Sequence, residues 1–305
     1  MRGRELVTKG EAFEKIGSVS NPIGADRLRG MLAFIYHVKR WDDRRRKVPD
    51  EETQKSCFHR VYADFLNYAS FFAQTRATIV CEGKTDNIYL KCALRSLAAH
   101  YPTLIQVSGT GKTLLVQLFK FTKTAAEVQD ISGGASQLSN LLSKYRKITK
   151  NFKGIPKHPT ILVVDNDSGP EKLFQHLSNL LSTKTKKKKV DGSEPYYFVY
   201  ENLYVVPVPK IAGAYTAMEK LFKPGVLATE LNGKKLDLSN KETDGKKFYS
   251  KNDFSIEVIQ KNQSSIDFNG FKPLLNALVA VQKDYSIKVA AATKAAAASV
   301  SAPVA

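Results

Sequence analysis

Two short runs of β-branched and apolar residues set the pattern of the chain. Thr78 to Cys81 and Thr160 to Val164 each stop at a carboxylate, Glu82 and Asp165, then turn at a glycine, Gly83 and Gly169, into helix-like sequence. A strand feeding a helix twice over predicts parallel strands in a sheet covered on both faces, with ligands collecting at the carboxyl ends of the strands. Helices are expected from about Thr85 to Ala99, Gly134 to Thr149 and over 170–182, and further strands over Leu114–Phe121, 196–200 and 203–208. Beyond these, Phe254–Ile259 reads as a strand and Pro273–Val281 as a final helix.

Upstream the period is helical. Leu28, Met31, Leu32 and Ile35 follow i, i+3, i+4, i+7 and predict a helix ending near Trp41; a polar joint over 42–49 follows. Phe58, Val61, Tyr62, Phe65, Ala69 and Phe72 predict a second helix. The change of period places a domain boundary near Thr75. The expected organisation is a small helical region over 1–75, an α/β domain with a C-terminal subdomain over 76–287, and a disordered, alanine-rich low-complexity tail over 288–305.

The charge balance narrows the partners. Forty-seven Lys and Arg against 29 Asp and Glu give +18, an excess that favours polyanions, of which nucleic acid is the commonest. Lys184 to Lys189 holds five lysines in six residues, a solvated loop or a grip on phosphates. The three cysteines, Cys57, Cys81 and Cys92, have no metal-ligand spacing and leave one over if paired, which points to a reducing cytoplasm. The five histidines likewise show no ligand spacing, so no zinc site is expected. No secretory signal is evident and no apolar run approaches the length that spans a bilayer, so no membrane association is expected.

The acidic strand ends carry the candidate chemistry. Asp165 and Asp167 stand two apart, so on an extended segment both side chains point the same way, and Glu82 at another strand end completes a group of three. Carboxylates so crowded raise one another's pKa unless a cation neutralises them, and Mg²⁺, or Mn²⁺, suits oxygen ligands. Asp86 either serves a second metal or stabilises a helix N-terminus as a first-turn acid. Lys84 would orient a phosphate or pair with Asp86. Ser108-Gly-Thr-Gly-Lys-Thr113 is not a phosphate loop: Gln106 stands where glycine is needed, and the sequence after it reads as strand, so it is a turn entering a strand.

Glu-Gly-Lys-Thr-Asp at 82–86 and Asp-Asn-Asp-Ser-Gly at 165–169 resemble the two acidic motifs of a TOPRIM domain, the magnesium module of topoisomerases, primases and OLD-type nucleases. Leu28–Arg40, the Glu82 motif through Tyr101-Pro102, the Asp165 motif, Thr216–Phe222, Tyr249-Ser-Lys251 and Ile266–Phe271 together resemble, in order, the C-terminal half of certain retron reverse transcriptases. The likeness covers roughly residues 20–285, the first two helices matching the thumb that follows the polymerase palm. It implies a TOPRIM-like, mostly parallel sheet flanked by helices. It also implies aspartates 165 and 167 as metal ligands, Glu82 completing the shell or handling protons, Glu219 helping a second ion, and Lys251 stabilising charge on a phosphate.

No polymerase palm accompanies these motifs. Tyr62-Ala-Asp-Phe65 has Phe in place of a second aspartate and lies in a helical pattern, so the chain is not expected to polymerise DNA by itself. The expectation is a magnesium-dependent nuclease module of a retron system in a phage-defence setting. Its partners would be DNA or structured RNA, including the retron's RNA-linked DNA, and a polymerase-bearing half. The alternatives are a non-catalytic nucleic-acid-binding extension and a truncated remnant.

Overall fold

The computed structural model describes residues 57–167, 171–183, 186–238, 245 and 247–300. The thumb-like helix expected over Leu28–Trp41 and the polar joint after it lie outside the described residues, as do Ser168, Gly169 and Pro170, Lys184 and Thr185. From Asn67 onward the chain forms one compact unit. The second expected helix is α1, Cys57–Phe71. Its last residue belongs to this unit, because the Phe71 ring is buried and packs on Phe119 and Tyr145.

The architecture is α/β. Strands β1 (Ala77–Val80), β4 (Val116–Leu118), β5 (Thr160–Val164), β6 (Tyr197–Tyr200) and β7 (Leu203–Pro207) form one sheet in the order β4-β1-β5-β7-β6. All neighbours are parallel except β6, which runs antiparallel to β7 at the edge. Strands β2 (Ile105–Ser108) and β3 (Gly111–Leu114) make a separate hairpin. The Gly-Thr-Gly-Lys segment is therefore the turn and second strand of a ribbon, as its sequence suggests.

The period of two decides what each face buries. Ile79, Ile161, Val163, Tyr204 and Val206 point into one apolar core, which they share with α2 (Lys84–Ser96) and the C-terminal part of the chain. Val80, Leu162, Val164, Leu203 and Val205 point into the other, filled by α4 (Ala135–Thr149), α5 (Glu171–Leu181) and Phe71; the short helix α3 (Lys123–Val128) adds Ala125. Burial on both faces explains why the strands read as unbroken apolar runs, not as alternations.

Two elements differ from their expected form. Phe254–Gln260 is a π-helix where the alternation of Phe254, Ile256 and Val258 suggests a strand. The buried positions are Phe254, Ser255, Val258 and Ile259, a one-faced helical set, and Ser250 and Asp253 cap the turn before it. The final helix, α6, runs from Lys272 to Val300, far beyond Val281. Residues 291–298 are exposed, so helix here follows from alanine's intrinsic preference and not from packing. Among the described residues no helix is long and apolar enough to cross a membrane.

Candidate metal centre

The pairing of β1 with β5 brings the two acidic turns side by side. Thr78, Ile79 and Val80 register with Thr160, Ile161 and Leu162, so Glu82 and Asp165 leave adjacent parallel strands at the same end. Each turn is held by backbone contacts. The carbonyl of Glu82 accepts from the Gly134 N–H at 2.7 Å, and a Cβ at Gly133 would stand 3.1 Å from the same oxygen, so both glycines lie close under the turn. Asn166 exchanges two backbone hydrogen bonds with Thr216, at 2.9 and 2.8 Å, which straps the 208–218 segment across the end of β5. The Met218 N–H donates to Asp165 Oδ1 at 2.9 Å, and the short 3₁₀ turn Met218–Leu221 then delivers Glu219.

The resulting cluster gathers charges far apart in sequence. Asp165 is pushed up to about 8, first by burial, then by the charges of Asp86, Glu82 and Glu219. Burial is also the main cause for Asp86, pushed up to about 6, with Glu219 and Glu82 adding to it. Glu82 moves upward by burial and by Asp167, against the backbone amides of Asp165 and Ala135 and the charge of Lys251. Its Oε2 is buried with no hydrogen-bond partner among the described residues. Lys251 reaches Glu219 Oε1 at 3.3 Å, a pair in which the glutamate side chain is 4% exposed.

Of the expected site residues, Glu82, Asp86, Asp165, Glu219 and Lys251 therefore share one electrostatic neighbourhood. Asp167 joins it through Glu82 and also lines a cavity together with Asn166. Asp86 stands at the start of α2, where its Oδ2 accepts the Gly83 N–H at 2.7 Å, and its charge raises Asp165. Lys84 is exposed. Among the described residues no group of three or more His, Cys, Asp or Glu stands where it could hold a metal ion as placed.

Sequence reasoning missed the residues that set this geometry. Asn166 is fully buried between the two aspartates; its Nδ2 donates to the Gly192 carbonyl at 2.7 Å. Gly192 has φ +72°, and a Cβ there would fall 2.5 Å from Asn166 Oδ1. The lysine-rich segment is thus clipped to the acidic edge. Val190 is buried, Ser178 Oγ donates to the Lys188 carbonyl, and Ser182 Oγ accepts the Lys188 N–H at 2.9 Å. A lone Asn or Gly carries no sequence signal for such a clip.

The Lys251–Glu219 pair is open to test. Lys251→Met is expected to cost about 3 kcal/mol of unfolding free energy, because it leaves a buried carboxylate unpaired. In urea unfolding, adding Glu219→Gln to Lys251→Met should recover most of that loss; a double variant no more stable than the single one would show that the pair is not the source. No protein-family model matches the chain, and no solved structure matches it.

Proposed function

We propose that this chain is a magnesium- or manganese-dependent nuclease module of the TOPRIM type, acting on nucleic acid within a retron reverse transcriptase system in phage defence. The observation that carries the proposal is the crowded acidic cluster at the ends of β1 and β5, with one buried glutamate oxygen left without a hydrogen-bond partner among the described residues. An all-oxygen set of donors suits a hard divalent cation. Glu82, Asp165 and Asp167 would hold it, and Asp86 and Glu219 would serve a second. Such an ion polarises a phosphoryl oxygen and lowers the pKa of a bound water.

The chain's own groups do the rest. Lys251, paired with Glu219 and partly exposed, would stabilise charge developing on a phosphate. The net charge of +18 draws the backbone of the substrate to the protein. The motif order that resembles the C-terminal half of retron reverse transcriptases supports the same reading. The test compares wild type with an Asp165→Ala, Asp167→Ala variant on supercoiled, linear and single-stranded DNA with Mg²⁺ or Mn²⁺. Cleavage by wild type alone is expected; equal activity in the two, or none in either, counts against the proposal.

A second reading, a nucleic-acid-binding extension that does not cleave, is favoured by two observations: Lys251 already pairs with Glu219, and among the described residues no group of three or more His, Cys, Asp or Glu stands where it could hold a metal ion. It predicts salt-sensitive binding of RNA-linked DNA without turnover.

A further inference from the structure

Beside Asp167 lies a cavity of about 490 Å³, within the size range of small-ligand sites. Phe174 and Gln175 of α5 form one wall, Lys189 of the clipped segment another, and Lys210 and Tyr215 a third. We infer that this cavity is a subsite for one nucleotide of a single strand, with Tyr215 stacking on the base and Lys189 and Lys210 holding the flanking phosphates. The inference rests on the reading of the acidic edge as a nucleic-acid-processing site, and extends it to the form of the substrate.

The third wall is built to hold an aromatic ring in water. Tyr215 is 65% exposed, and Ile211 beside it 47%. Isolated exposed aromatics are common and need no explanation. This one sits on a rigid support. Ala212 and Gly213 both have positive φ, +50° and +78°, as the central residues of a type I′ turn require, and the Ala214 N–H donates to the Ile211 carbonyl at 2.9 Å. A non-glycine residue in that region is strained, and strain of this kind persists only where the surroundings fix it. Thr216 fixes it here: its Oγ1 accepts the Ile211 N–H at 3.1 Å and donates to the Ala214 carbonyl at 2.9 Å, while its backbone is tied to Asn166. The ring is thus carried on the same strap that crosses the acidic edge.

Charge around the cavity is graded. Glu171 and Asp191 line it as well as Asp167, but Ser193 donates to Asp191 Oδ1 through both its N–H and its Oγ, at 3.0 and 2.6 Å. Lys186 to Lys189 are all exposed on the segment that the Asn166–Gly192 contact pins down. Lysines and carboxylates line the cavity together, with an exposed aromatic ring beside them; the lysines and the ring match the needs of a single strand, whose bases are free to stack while its backbone follows positive charge. A duplex keeps its bases stacked on one another and would use only the lysines.

The experiment separates binding from cleavage by working in EDTA. Anisotropy of a fluorescein-labelled mixed-sequence strand, its duplex, and the RNA of the same sequence is measured against wild type, Tyr215→Ala, Tyr215→Phe and Lys189→Ala/Lys210→Ala. Tyr215→Ala should weaken single-strand binding about tenfold and leave duplex binding nearly unchanged, with Tyr215→Phe restoring it. The double lysine variant should weaken both and lower the salt slope by about two. The DNA and RNA arms show which single strand the subsite favours. Equal loss on strand and duplex in Tyr215→Ala, no loss at all, or no single-strand binding by wild type would overturn the inference. If the predicted pattern holds while wild type with Mg²⁺ cuts nothing, the subsite stands and the nuclease proposal alone falls.

Discussion

Asp165→Asn is expected to reduce cleavage at least about a hundredfold and, in metal-free buffer, to make the protein more resistant to unfolding at alkaline pH. The first effect follows if Asp165 holds the ion, since even the neighbours of metal ligands are typically worth ten- to a hundredfold. The second follows from the cluster itself. Unfolded, Asp165 titrates at about 3.9. Folded, burial and the charges of Asp86, Glu82 and Glu219 push it up to about 8. Between those values the folded chain holds a proton that the unfolded chain has released. The stability from this group is thus full below about pH 4 and is lost as pH rises through about 8.

Asp86, pushed up to about 6, acts in the same direction over the lower part of that window, and Glu82, also raised, adds to it. One unit of displacement corresponds to about 1.4 kcal/mol, and discounting for the partly exposed Asp165 side chain leaves a cost on the order of 3 kcal/mol at pH 9. Asparagine keeps the acceptor for the Met218 N–H and removes the charge. Urea unfolding at about pH 5 and about pH 9 in EDTA should show wild type losing more stability than the variant. Millimolar Mg²⁺ should then restore wild type at the higher pH and leave Asp165→Asn unmoved. Parallel pH profiles for the two proteins would mean that the carboxylates are not crowded in solution.

The strand that ends at Asp165 was readable because its signals are local. Thr160 to Val164 is apolar, β-branched and of the right length, and the expected bounds match those observed. The adjacency of Glu82 and Asp165 followed from the parallel arrangement that strand–turn–helix units impose. What escaped the sequence depends on contacts between distant segments. Nothing in Phe254–Gln260 announces a π-helix; its first residue packs against the rings of Phe222 and Tyr89, contacts between segments far apart in the chain. Likewise the lysine run shows as charge alone, and only the Asn166–Gly192 contact turns it into a fixed wall beside the acidic edge. Nor does the sequence show that β5 stops at Val164 and that Asn166 then pairs with Thr216, so that Asp165 receives the Met218 N–H, while Asp167 lines the cavity and its charge also raises Glu82.

Among the described glycines, Gly270→Ala is expected to be the most damaging added methyl. Gly270 sits in the 3₁₀ turn Asn269–Phe271, where an added Cβ would lie 2.1 Å from the Leu221 carbonyl oxygen and 3.1 Å from its carbon. That obstacle is backbone, so no side-chain rotation relieves it. The turn is also held from both sides. Phe268 and Phe271 are buried against the ring of Phe222, and the Asn269 N–H donates to Asp267, which Lys223 pairs at 2.6 Å. Overpacking of this kind costs about 1–3 kcal/mol where the surroundings can yield, and more where they cannot. We expect at least about 3 kcal/mol, a fall of roughly 10 °C in the thermal midpoint for a unit of this size. Leu221 closes the turn that carries Glu219 and follows Met218, the donor to Asp165. A shift of Leu221 that relieves the clash would move the acidic edge, and the alkaline loss of stability in EDTA should then change along with the midpoint. Gly225→Ala is the control, because a Cβ there meets nothing within 4 Å and should shift stability by less than about 0.5 kcal/mol. Equal midpoints for the two variants would show that the 269–271 turn does not press on Leu221, and that some other contact brings Glu219 to face Asp165.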